Sequence, residues 1–175
     1  MSDDREQETR KKVLDLVTKN PGLHLSKIAE QLGMRTSLAE YHLKYLEKNE
    51  LILSVKQPGD YYRRYYTKDS PLGVDDKKIL AILREEMLFK IILLFLKKER
   101  LRNKDLLQHF SVSPPTITYY LHKLVSSGII EETAYGEEKG YVLLNRKRVI
   151  RLMLTYELHV VADDFKAIWD DLQYW

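Results

Sequence analysis

The sequence predicts a mainly α fold with small β-hairpin wings, laid out as two tandem copies of one unit followed by a final helix, and three observations lead there. The stretch from Ile28 to Leu46 returns 78 residues later as Leu106 to Leu124. No gap is needed: Leu23 falls on Leu101, Ile28 on Leu106, Leu32 on Phe110, Tyr41 on Tyr119, Leu43 on Leu121, Leu46 on Leu124 and Ile52 on Ile130. Self-similarity at a fixed period outranks local propensity in deciding architecture. In each copy the third helix is followed by two β-rich runs around a turn, which makes each copy a winged helix-turn-helix domain. A length of 175 residues suits two such domains. Each has little core to spare, so association with a neighbour or a second subunit is expected.

Residues 1–8 are polar and charged and are expected to form a disordered N-terminus ahead of a first winged domain at 9–70. Thr9 to Lys19 reads as its first helix, with Val13, Leu14 and Val17 on one face, and Asn20-Pro21-Gly22 ends it. Leu25 to Leu32 is the second helix, and Gly33 supplies the turn. The third, from Ser37 to Lys48, turns Ala39, Leu43 and Leu46 inward at helical spacing and leaves Leu38, Glu40, Tyr41 and Lys44 outward. Leu51 to Lys56 and Tyr61 to Thr67 are the wing strands, separated by the Pro58-Gly59 turn signal. Glu50 stands where the second copy has Gly128. Left-handed backbone costs a non-glycine residue roughly 1 kcal/mol, so Asn49 is expected to take that conformation in its stead.

Ser70-Pro71-Leu72-Gly73 breaks the chain, and Asp75 to Lys98 then reads as one helix, apolar on more than one face. Its first part belongs to a connector at 71–85, and the second winged domain occupies 86–145. There Ser113-Pro114-Pro115 opens the third helix with a capping serine and a proline that wastes no N–H. Gly128 ends it, Ile129 to Tyr135 and Tyr141 to Leu144 are strands, and Gly136 to Gly140 is the tip. Residues 146–175 are read as a dimerisation helix, running from about Lys147 to Leu172 without proline or glycine. Ile150, Met153, Tyr156, Val160, Phe165, Ile168, Trp169 and Leu172 form its apolar stripe. About 26 helical residues would span about 39 Å, too long a stripe for one small domain to cover. A homodimer is therefore expected.

Composition narrows the function. With no cysteine, disulfides, thiolate metal sites and cysteine redox sensing are excluded. The five histidines are scattered without metal-ligand spacing, and His42 reads as helix packing. There is no phosphate-cradling glycine loop, nucleophile elbow or carboxylate tied to a histidine, so no enzyme and no cofactor are expected. The charged start has no apolar leader, and no apolar run approaches the roughly 20 residues that cross a membrane, so a cytoplasmic location is expected. Net charge is +3, but its distribution matters more: Thr9 to Ser70 holds 12 Lys/Arg against 7 Asp/Glu, and Arg151 to Trp175 holds 2 against 5. The basic surplus lies on the first copy, pointing to double-stranded DNA as partner.

In such a unit the third helix enters the major groove with its N-terminal residues at base edges, where small or polar side chains are needed. Domain 1 offers Arg35, Thr36, Ser37 and Tyr41, with Lys44 further along; domain 2 offers Ser113, Pro115, Thr116, Thr118 and Tyr119, with Lys123. In Tyr61-Tyr62-Arg63-Arg64-Tyr65-Tyr66, strand alternation would send Arg63 and Arg64 to opposite faces, one of them toward a phosphate or minor groove. The second wing carries Glu131, Glu132, Glu137 and Glu138, which phosphate repels. Domain 1 is thus expected to be the main reader.

The segments Asn20 to Ala29 and Tyr41 to Glu47 resemble the first half of archaeal tandem winged-helix transcriptional regulators, and Ser113 to Leu121 is similar to the recognition segment of ArsR-like repressors. The resemblance covers Lys19 to about Leu144 and implies a DNA-binding regulator, usually dimeric. It brings no metal sensing, because the thiolate box is missing. The rival expectation is a tandem winged-helix module that assembles on other proteins of a transcription or chromatin complex and binds DNA only non-specifically. Operator, sign of regulation and any small-molecule effector are not written in these residues.

Overall fold

The computed structural model describes residues 2–158, and the chain divides into two compact units, Met1–Ala81 and Ile82–Trp175. The first unit contains α1 (Ser2–Lys19), β1 (Leu23–His24), α2 (Leu25–Gln31), α3 (Thr36–Lys48), β2 (Ile52–Val55) and β3 (Arg64–Thr67), and α4 (Val74–Leu83) carries the chain across the division. Val13, Val17, Leu23, Ile28, Leu43, Leu46, Ile52 and Tyr65 form one buried cluster, joining all three helices to the sheet. Helical spacing puts these side chains on one face of each helix, and burying them is the main stabilising term of the unit. The antiparallel sheet has the order β1-β3-β2, with Leu23 opposite Tyr65 and Val55 opposite Arg64. Gly22 has φ +83°, a left-handed conformation that L side chains rarely adopt, and this favours glycine in the turn between α1 and β1; a Cβ there would only touch Leu80 and the Tyr66 hydroxyl, at 3.4 Å.

Three expectations for this unit change. Helix α1 begins at Ser2, so residues expected to be disordered continue the helix; nothing from Ser2 to Glu8 breaks it, and Glu6 pairs with Arg10 at 2.5 Å one turn on. The left-handed residue after α3 is Glu50, with φ 58°, while Asn49 stays at φ −89°. The Asn49 amide N–H and side-chain Nδ2 both donate to the Tyr45 carbonyl, which holds Asn49 in the helix closure and moves the reversal to the next residue. The wing strands are shorter than expected, and Lys56 to Arg63 form a loop in which strand alternation does not apply.

The second unit repeats the plan. It holds α5 (Glu86–Lys97), β4 (Arg100–Leu101), α6 (Asn103–His109), α7 (Pro114–Ser126), β5 (Ile130–Tyr135), β6 (Glu138–Leu143) and α8 (Arg146–Thr155), with sheet order β4-β6-β5. Both α6 and α7 start and end 78 residues after α2 and α3. Leu101, Leu106, Ile117, Leu121 and Leu124 are buried like their counterparts. The helix expected over 75–98 is interrupted at Arg84-Glu85, where Glu85 is extended (φ −99°, ψ 118°) and its carboxylate accepts from Lys123 Nζ at 2.8 and 3.0 Å. No glycine or proline marks that break.

Helix α8 is held at its start by the Arg146 guanidinium, which donates to the carbonyls of Phe95 and Leu96 at the end of α5. Val149, Leu152 and Met153 are buried, and the helix stops at Thr155; Glu157 is left-handed (φ 48°). An uninterrupted helix from Lys147 to Leu172 is therefore not formed, and the 39 Å stripe expected from about 26 residues at 1.5 Å each falls with it. Of the stripe, Met153 is committed to its own domain and Ile150 and Tyr156 are half-buried. Val160, Phe165, Ile168, Trp169 and Leu172 lie outside the described residues.

Candidate nucleic-acid interface

The outer face of α3 is built by default: Ala39, His42, Leu43 and Leu46 point into the core, so the side chains between them must face out. Arg35 stands at the N-cap position in extended conformation, and Thr36, Ser37, Tyr41 and Lys44 are all exposed. Among the described residues the hydroxyls of Thr36 and Ser37 have no intramolecular partner, which leaves both free to donate and accept elsewhere. Lys44 pairs with Glu40 at 2.6 Å, but both side chains are well exposed and such a pair is worth little, so it can rearrange around a phosphate. His42 is buried with an unpartnered Nδ1, and burial first, then the nearby Arg10, holds its pKa below the usual histidine value. It is a packing residue, as expected.

The two wing arginines have different fates. Arg63 is exposed, and its Nη1 donates to Ser54 Oγ at 2.9 Å; the same hydroxyl donates to Glu47 Oε1 at 2.5 Å. Ser54 thus ties the wing's guanidinium to the C-terminal half of α3. Arg64 is only 1% exposed and is withdrawn from the interface: Nε donates to Asp60 Oδ2 at 2.8 Å and Nη1 to the Gly22 carbonyl at 3.1 Å. A guanidinium taken out of water is tolerable only with such partners, and these fix the wing loop to the turn after α1. Asp60 also accepts from the Tyr62 N–H at 3.2 Å, and the Tyr62 ring stacks on His24 at 4.1 Å between centroids. Burial, then Arg64 and Lys27, holds the His24 pKa below its ordinary value, consistent with a neutral ring under Tyr62. Seated in this way, the loop leaves Tyr61 84% exposed and Arg63 beside it. Arg63 and Arg64 are separated, as expected, but the buried ion pair separates them and strand alternation does not.

In the second unit α7 presents Ser113, Pro115, Thr118 and Tyr119 to solvent, with Thr116 half-buried. Its polar groups are largely used internally. Ser113 Oγ and Thr116 Oγ1 are hydrogen-bonded at 2.7 Å instead of the serine capping the backbone, and Thr118 Oγ1 donates back to the Pro114 carbonyl at 3.0 Å. Lys123 is not an outward cation: its side chain is 17% exposed and held by Glu85. The second wing is also less acidic than its residues suggest. Glu138 accepts from Lys104 at 2.7 Å and Arg102 at 3.3 Å, and Lys139 pairs with Glu132 at 2.6 Å. The hydrogen bond from Lys104 is the main reason the Glu138 carboxyl lies below its usual range.

Among the described residues there is no His/Cys/Asp/Glu group able to hold a metal ion, and no helix long and apolar enough to cross a membrane. Residues 7–75 match a family model described as an N-terminal HTH domain, and residues 84–131 match one described as winged helix-turn-helix DNA-binding. Over 136 residues, 78% of this chain, the sequence is 27% identical to a Methanocaldococcus jannaschii protein described as an uncharacterized HTH-type transcriptional regulator. The chain spans about a third of that relative's length (33%). Among solved structures, similarity extends to the transcriptional repressor PagR of Bacillus anthracis (22% identity, 46% of this chain and 91% of that one, TM-score 0.41). The transcriptional regulator SlyA is 18% identical, with 68% of this chain and 75% of that one covered and a TM-score of 0.32.

Proposed function

We propose, from a chain that carries two winged helix-turn-helix domains, that it is a sequence-specific DNA-binding transcriptional regulator whose first domain is the main reader. The observation that carries this is the contrast between the third helices. Thr36 and Ser37 open α3 with unengaged hydroxyls, whereas Ser113, Thr116 and Thr118 are bonded within α7. Arg35, Lys44 and Arg63 surround the face of α3 with positive charge suited to phosphates, and Thr36, Ser37 and Tyr41 approach base edges. Kinship with the ArsR-like repressors rests on Ser113 to Leu121 alone. Homodimerisation through residues 159–175 belongs to the same reading, on the apolar residues Val160, Phe165, Ile168, Trp169 and Leu172. Light scattering at micromolar concentration is expected to give twice the chain mass, and a monomer there removes this part.

The exposed apolar residues Leu38, Tyr41, Tyr45 and Leu51 on and just after α3 favour the rival reading, a protein-docking module. Gel-shift titration at several salt concentrations separates the two. A regulator selects particular duplexes over competitor DNA, and Arg63→Ala lowers its affinity for all sequences about equally. Without the Arg63 guanidinium on a phosphate, the plot of log K against log salt flattens by roughly 0.9. An unchanged slope excludes Arg63 from the interface, and binding without any preferred duplex leaves the docking reading in place.

A further inference from the structure

We infer that Leu38 is a specificity-determining residue that reads thymine C5-methyl groups in the major groove, with Tyr41 as the wall beside it; this rests on α3 being the DNA reader. Among the described residues nine large apolar side chains are exposed, and four of them, Leu38, Tyr41, Tyr45 and Leu51, lie on α3 or just past its end. A single exposed leucine needs no explanation. Leu38 differs because of its place: it is the third residue of α3, directly after the unengaged hydroxyls of Thr36 and Ser37, where a recognition helix meets base edges.

The domain does not need Leu38 for its core, since Ala39, Leu43 and Leu46 fill that face and Leu38 remains 45% exposed. Tyr41, three residues on and 51% exposed, stands on the same side of the helix. Tyr45 continues the stripe but carries the Arg10 guanidinium 3.7 Å from its ring centroid, so the accessible apolar surface is concentrated toward the N-terminal half. In the major groove the edges of guanine, cytosine and adenine present donors and acceptors, and only thymine presents a methyl group. A leucine pressed on a polar edge removes its water and returns no hydrogen bond, whereas on a methyl group it removes apolar surface from water at both partners. Leu38 therefore favours thymine and penalises the other bases at its position. The charges around it fit nucleic acid better than a protein groove: Arg35 precedes it, and Lys44 and Arg63 lie along the same helix and wing.

The test uses the full chain and duplexes it selects from a random-sequence pool. The selected duplex is prepared with thymine and with deoxyuridine, which differ only by the methyl group, and both are titrated against wild type and Leu38→Ala. Wild type is expected to bind the deoxyuridine form roughly fourfold more weakly for each methyl group that Leu38 covers. Leu38→Ala, with an unchanged thermal midpoint, is expected to bind both forms equally. Equal binding of the two forms by wild type overturns the inference, as does full discrimination retained by Leu38→Ala, and in either case selective binding leaves the DNA-reading role standing. Failure to select any duplex overturns that role and the inference with it.

Discussion

Replacing Arg64 with alanine is expected to cost the first domain about 3–5 kcal/mol, the range for removing one member of a buried ion pair. The side chains of Arg64 and Asp60 are 1% and 5% exposed, so the substitution leaves a buried carboxylate without the guanidinium that compensates it. It also strands the Gly22 carbonyl, which Arg64 reaches across 42 residues of chain, and so loosens the turn after α1 and the wing loop together. A small domain is stable by only about 5–15 kcal/mol, so this loss removes a large share of its stability. Urea titration followed by circular dichroism measures the effect. Replacing both members by apolar residues, Arg64→Met with Asp60→Leu, is expected to cost less than Arg64→Ala alone, since no unpaired charge is left behind. Arg63→Ala, by contrast, is expected to leave the midpoint nearly unchanged. A loss below about 1 kcal/mol for Arg64→Ala means that the pair does not hold the wing.

The second large effect is on recognition. Altering Thr36, Ser37 and Tyr41 together is expected to remove about 1–3 kcal/mol of discrimination for each base edge these side chains no longer reach. The same treatment of Thr116, Thr118 and Tyr119 is expected to cost less. Repulsion between phosphate and the acidic second wing is a weak reason for this, because Glu138 is compensated by Arg102 and Lys104. The stronger reason is local: α7 must break the Ser113–Thr116 and Thr118–Pro114 hydrogen bonds before its hydroxyls can serve a base, and α3 has no such bonds to break. Competition titrations with selected and unrelated duplexes, on variants with unchanged thermal midpoints, decide the order. Greater damage from the α7 set reverses the assignment of the reading domain.

The element order is legible because the information is local and stated twice. Apolar residues three and four apart define α3 and α7, and the repeat carries the second pair of helices onto the first without a gap. The outward set on α3 follows from the same periodicity, which is why Arg35, Thr36, Ser37, Tyr41 and Lys44 are all found at the surface. Less legible are the breaks at Arg84-Glu85 and after Thr155, since neither uses the glycine or proline by which a chain announces a helix end. Periodicity puts Leu38 outward but assigns it no role, because an outward leucine is unremarkable until its exposure and neighbours are known.

By itself, then, the sequence determined the two-domain plan, the helix faces and the basic surplus of the first copy, all of which depend on residues near one another in the chain or on simple counts. Only the tertiary structure decided which charges are available. Arg63 and Arg64 are adjacent and chemically identical, yet one is exposed beside Ser54 and the other is buried against Asp60 and Gly22; Lys123 likewise is engaged by Glu85, 38 residues away. Whether a charged group can reach a phosphate depends on its desolvation and its partners, and both are set by segments that folding brings together from far along the chain.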